Sequence, residues 1–189
     1  IASIMELFQK RDCLDVRNLR LQHLKYMLIF PLAPVFANMQ EVLFGSSAYL
    51  LELDAMTLMG SAYCVGAGLL FAAAKPNTIS RSSHLLAVFT AAMYIFWLLL
   101  PEGRWSLPAA MLFAASLGGC AAQAAFSYTF VLNNAERFLG AAAISLFFAL
   151  NQLDFGLSLV SGLFPKAYLT ALVAGTCICL LRYRADDFS

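Results

Sequence analysis

Charge is what this chain is short of. Asp, Glu, Lys and Arg make up 12% of its 189 residues, where a soluble domain carries about a quarter. The formal net charge is +1, so no excess of either sign points to nucleic acid, and no nucleic-acid contact is expected. Histidine is limited to His23 and His84. Both fall at the edges of apolar stretches and read as interfacial. An intramembrane hydrolase needs a Ser–His or paired-Asp arrangement inside its spans, and neither is present, so we expect no enzyme. A phosphate loop, a nucleotide fingerprint and metal-ligand spacing are also missing, so no cofactor and no metal are expected. Of the five cysteines, Cys64, Cys120, Cys177 and Cys179 fall inside apolar stretches. Cys177 and Cys179 form a Cys-x-Cys with no His or carboxylate cluster beside it. They read as small packing residues, not as ligands or disulfides.

What fills the chain instead is apolar: 61% of residues are hydrophobic and the mean hydropathy is +0.76. That is more apolar surface than a soluble core of this size buries, which predicts an integral membrane protein. Six apolar spans are expected near residues 25–44, 50–74, 84–100, 106–132, 138–163 and 167–181, separated by breakers such as Lys75-Pro76-Asn77 and Pro101-Glu102-Gly103. Most have the roughly 20 residues a bilayer-crossing helix needs. The backbone must satisfy itself in lipid, and the runs do not alternate as barrel strands do, so they read as helices. Residues 1–24 read either as an amphipathic helix at the membrane surface or as a solvated linker. Residues 183–189 read as a cytoplasmic tail. The chain opens on Ile1 with no signal-peptide pattern and is expected to be part of something longer.

Lys and Arg orient the bundle. With the N-terminus inside, the inner side holds Lys10, Arg11, Arg17, Arg20, Lys25, Lys75, Arg81, Arg137, Arg182 and Arg184. The outer side holds Arg104 and Lys166. The expectation is a multi-pass protein of a bacterial plasma membrane, with both termini inside.

Four spans carry a polar or small stripe at helical spacing. These are Pro31, Pro34, Asn38, Glu41 and Gly45 in the first; Asp54, Thr57, Ser61, Cys64 and Gly68 in the second; Ser116, Gly119, Cys120, Gln123 and Ser127 in the fourth; and Asn151, Asp154, Ser158 and Ser161 in the fifth. The third offers only Thr90 and Tyr94, and the sixth little beyond Thr170, Thr176 and two cysteines. Spans 1, 2, 4 and 5 are therefore expected to face an interior, and spans 3 and 6 to face lipid. Small residues and serines on such stripes often serve close helix packing. Ionisable groups are different, because an Asp near the bilayer centre costs about 2.5–3.5 kcal/mol on insertion scales. Asp154 is thus the first candidate for substrate contact or protonation, with Asn151, Gln123 and Glu41 beside it. Nothing inside the spans is a permanent cation, which leans towards neutral or cationic cargo.

The pattern resembles one half of a major facilitator superfamily transporter. Asn133-Asn134-Ala135-Glu136-Arg137-Phe138-Leu139-Gly140 looks like that family's Glu-Arg turn before the fifth helix, and Gly118-Gly119 sits where its fourth helix often carries Gly. The family's Gly-xxx-Asp-Arg loop is reduced here to Gly68, Lys75, Arg81 and His84, and its Gly-Pro pattern in helix 5 is absent. The resemblance implies an all-α six-helix bundle of two three-helix inverted repeats. It also implies a bilayer, a small-molecule solute and a second six-helix half as partners, the latter from the same longer chain or a second copy. The implied function is transport of a small solute. The alternative is a non-transporting membrane sensor or anchor of the same shape, attached to a DNA-binding module outside this chain.

Overall fold

In the computed structural model, residues 17, 19–30, 32, 49–50, 53–100, 106–152 and 165–188 are described. Among them the chain forms six helices, which we number in order: α1 (24–30), α2 (Ala55–Ala73), α3 (Ile79–Leu99), α4 (Ser106–Phe130), α5 (Asn134–Gln152) and α6 (Pro165–Leu181). Two-residue strands, β1 (Tyr49–Leu50) and β2 (Leu53–Asp54), pair antiparallel just before α2. Single-turn 3-10 helices flank the bundle at Leu21–His23, Pro76–Thr78 and Ala185–Phe188.

The helix ends follow local chemistry. Leu100 leaves α3 in extended conformation (φ −76°, ψ 131°), as expected of a residue preceding a proline. Pro165 opens α6 at the first helical position, where its missing N–H costs nothing. The start of α5 is a reciprocal cap: Glu136 N–H donates to Asn133 Oδ1 at 2.9 Å, and Asn133 N–H donates to Glu136 Oε2 at 2.9 Å. Among the described residues two helices, α3 and α4, are long and apolar enough to cross a membrane; at 1.5 Å per residue they reach about 31 and 37 Å. The apolar stretches Thr57–Ala73 and Leu169–Leu181 are shorter.

The centre of the bundle is α4, which packs against α2 on one side and α3 on another, while α3 also packs against α6. The α2–α4 crossing brings backbones into contact. A Cβ on Gly118 would stand 1.9 Å from the Tyr63 carbonyl oxygen, and one on Gly66 would stand 1.9 Å from that of Ala115. Only glycine permits this approach, as in small-residue crossings of membrane helices. Against α3, α4 sets aromatic rings: Phe113 lies parallel to Trp97 (6.2 Å) and 5.3 Å from Tyr94.

Alternate helix ends meet. The stretch leading into α1, the start of α3, the α4–α5 turn and the tail after α6 are linked there by hydrogen bonds. Arg17, Arg20, Lys25, Lys75, Arg81, Arg137, Arg182 and Arg184 belong to this basic end, against Lys166 at the other among the described residues.

The stripes divide differently from expectation. That of α4 is buried throughout, at Ser116, Gly119, Cys120, Gln123 and Ser127. It faces α3, not an open interior: Cys120 Sγ meets Thr90 Oγ1 at 3.4 Å, and Gln123 reaches Ser83. The α2 stripe turns outward, with Thr57, Ser61, Cys64 and Gly68 all exposed, because the glycine crossing commits the opposite side of α2 to α4. Spans 3 and 6, expected to face lipid, each bury one side and leave the other exposed. α3 buries a seam of Ile79, Ser83, Ala87, Thr90 and Tyr94, while Leu85, Val88, Ile95 and Leu99 stay exposed. α6 buries Leu169, Leu172, Val173, Thr176, Cys177 and Leu180. The stripes of spans 1 and 5 fall largely outside the described residues.

Candidate functional site

Of the four candidates, Gln123 is the one whose side chain is described. It is fully buried at the α3–α4 seam, where its Nε2 donates to Ser83 Oγ at 2.5 Å. Ser83 in turn donates to Ile79 O at 2.6 Å. Gln123 Oε1 and Thr176 Oγ1 are the buried side-chain oxygens without a partner among the described residues. Asn151 lies in the last turn of α5. Asp154 and Glu41 lie outside the described residues. The four are therefore not brought together in the described part of the structure.

The most densely bonded polar group is at the basic end. Glu136 is fully buried, and five donors converge on its carboxylate. Arg20 gives its backbone N–H and Nε to Oε1, each at 3.1 Å, and Nη2 to Oε2 at 3.1 Å. His23 Nδ1 reaches Oε2 at 3.2 Å, and the Asn133 N–H completes the set. An ionised carboxylate only accepts, so this contact places the proton of His23 on Nδ1. Burial by itself would raise the Glu136 carboxyl. The hydrogen bonds from Arg20, Asn133 and His23 outweigh it and hold the group below the usual carboxylate range. His23 is itself buried, and Glu136 supplies the partner that lets it leave water.

Arg137, the next residue, turns the other way. Its Nε donates to Tyr128 O (3.0 Å) and its Nη2 to Thr129 O (2.5 Å), covering carbonyls that the end of α4 leaves open. Tyr128 Oη returns a bond to Arg137 O at 2.7 Å. Arg20 Nη2 also reaches Val131 O at 3.2 Å. Glu136-Arg137 thus joins α4, α5 and the segment before α1.

A second polar lock joins α1 to the tail. Tyr26 Oη donates to Asp187 Oδ2 at 2.5 Å, and Lys25 Nζ pairs with the same oxygen at 3.0 Å. Burial would raise the Asp187 carboxyl, but these two bonds hold it below its ordinary value. The fully buried Tyr183 bonds to Ser127 Oγ at 2.8 Å through its hydroxyl, and its carbonyl accepts from Ser80 Oγ at 3.0 Å. Tyr26 lies edge-on to Tyr183 (4.6 Å) and to Phe188 (5.7 Å).

Both locks commit their charges to structural partners, and neither forms a nucleophile–base pair. No cluster of His, Cys, Asp and Glu able to hold a metal occurs among the described residues. Sequence reasoning placed Glu136-Arg137 in an inner turn but missed Arg20, His23, Tyr26 and Asp187 as partners. Asn133-x-x-Glu136 is a capping signature that was available; the long-range partners have no local signal. No protein-family model, no curated protein and no solved structure matches this chain.

Proposed function

We propose that this domain is one six-helix half of a facilitator-type secondary transporter, spanning a membrane six times with the basic end on the cytoplasmic side. The second half completes the site at the bilayer midplane, and a small solute passes between the halves. One observation carries the reading: α2 holds α4 with one side and presents Thr57, Ser61, Cys64 and Gly68 on its exposed side. Ser61 donates its hydroxyl to Thr57 O at 2.7 Å and costs little by itself; what favours a facing half with a cavity between is the row of small, weakly polar side chains on one exposed side. Convergence of the basic chain ends at one end of the bundle gives further support. In this reading Asp154, Asn151 and Glu41 contribute to the cavity. Gln123 is turned into the α3–α4 seam and does not line the cavity.

Cys64 sits midway along α2 and serves as a native reporter. In the full chain, with the other cysteines replaced by Ala, we expect a water-soluble, membrane-impermeant thiosulfonate to modify Cys64, and Cys in place of Ser61. Cys in place of Val65, exposed on the neighbouring flank, should stay unreactive. An unreactive Cys64 would remove the cavity. The reading then favoured is a non-transporting anchor, in which Arg20 and His23 fasten a preceding or following module to the helices through Glu136.

A further inference from the structure

Between the start of α1, the start of α3 and the end of α6 lies a groove of about 1020 Å³ at the basic end. We propose that it binds the headgroup of an acidic phospholipid from the leaflet it meets. The inference rests on the membrane reading above.

Three observations define the occupant. His84, Arg182 and Arg184 line the groove and are exposed. No carboxylate forms an ion pair with either arginine among the described residues. The acidic residues at the same rim are already engaged: Asp187 by Lys25 and Tyr26, and Asp186 in an interaction of its own. The uncommitted charge facing the groove is therefore positive, which suits a phosphate. The walls are apolar and about half exposed, with Leu24 and Leu28 on α1 and Ile178 and Leu181 on α6. A soluble anion has no use for these walls, whereas acyl chains continuing from a bound headgroup lie along them. Basic pockets between helices at a cytoplasmic interface select anionic lipid by this combination. Lining groups are fixed to one another: Ser80 donates to the Tyr183 carbonyl, and Lys25 pairs with Asp187.

The test uses the full chain in vesicles of equal parts phosphatidylcholine and phosphatidylglycerol, each lipid spin-labelled in turn. The motionally restricted fraction is read by electron paramagnetic resonance. We expect phosphatidylglycerol to be preferred over phosphatidylcholine by about threefold or more, with the preference falling towards unity in Arg182→Gln/Arg184→Gln. Lys75→Gln, at the same end but outside the groove, should leave it unchanged. Equal loss in Lys75→Gln would mean diffuse surface charge and overturn the site. Displacement of the lipid by millimolar inorganic phosphate would overturn it in favour of a soluble anion. If phosphatidylcholine is restricted without any preference, the lipid site falls and the membrane reading stands. If neither lipid is restricted, both fall.

Discussion

At the scale of single residues, Glu136 shows how a buried charge is made tolerable. Five donors on two oxygens replace the water it has lost, and two of those donors come from its own helix cap and its neighbour Arg20 backbone. Replacing it with Gln removes the charge that strengthens these bonds and turns an amide donor towards Arg20. We expect Glu136→Gln to destabilise the domain by about 2 kcal/mol, read as a lowered thermal midpoint in detergent. The sign with pH follows from the depressed carboxyl. Its contribution is complete above the ordinary value of 4.5 and is lost as pH falls through the lower folded value. The gap between wild type and Glu136→Gln should therefore close in acid; a gap that widens in acid would contradict the ionised state. The capping half of this arrangement was legible as Asn133-x-x-Glu136. The stapling half was not, because Arg20 is 116 positions away and nothing local in sequence records so distant a contact.

At the scale of elements, glycine position decides how the bundle closes. Gly118 and Gly66 lie in the α2–α4 crossing, and Gly60 and Gly68 have open space where a Cβ would go. Gly118→Ala forces a methyl group into the Tyr63 carbonyl, which no rotamer relieves. A loss of roughly 3 kcal/mol or more is expected, against little change for Gly68→Ala. Helix content and thermal midpoint of the two variants, measured side by side, check this. Sequence read the existence of the helices better than their roles. The breaker Lys75-Pro76-Asn77 falls between α2 and α3 as expected, whereas Pro165, expected in a breaker, opens α6. The α3 helix, however, begins at Ile79, ahead of the expected span, since Ser80, Arg81, Ser82 and Ser83 are polar enough to lower hydropathy without opposing a helix. The stripe rule found which residues lie together on α4 but not what they face. A Cys or Gln on a helix looks the same whether it meets a cavity or, as here, Thr90 and Ser83 of a neighbour. Period reports a shared face; partner identity needs the packing.

For the whole molecule, the basic end acts as one bonded surface built from four separate stretches of chain. Tail residues supply much of it: Tyr183 to Ser127 and Ser80, and Asp187 to Lys25 and Tyr26. Deleting 183–189 strips α1 of its lock and leaves Ser127 without its tyrosine partner. We expect faster proteolysis within residues 17–30 and a lower thermal midpoint, while the α2–α4 crossing survives. Limited digestion with trypsin, which has Arg17, Arg20 and Lys25 to cut in that stretch, distinguishes this from global unfolding. That these distant stretches meet was foreshadowed only by the distribution of Lys and Arg, which records a shared side and not the bonds made there.

Tyr26 and Asp187 are 161 positions apart, so α1 is clasped by residues made long after it. Until that stretch emerges, α1 rests on the Glu136 staple and on apolar contacts such as Phe30 stacked against Tyr128. Assembly of this end is thus a matter of timing: α1 waits for residues 183–188, which act as a latch when they arrive. Contacts of such long range slow closure more than they weaken the closed state.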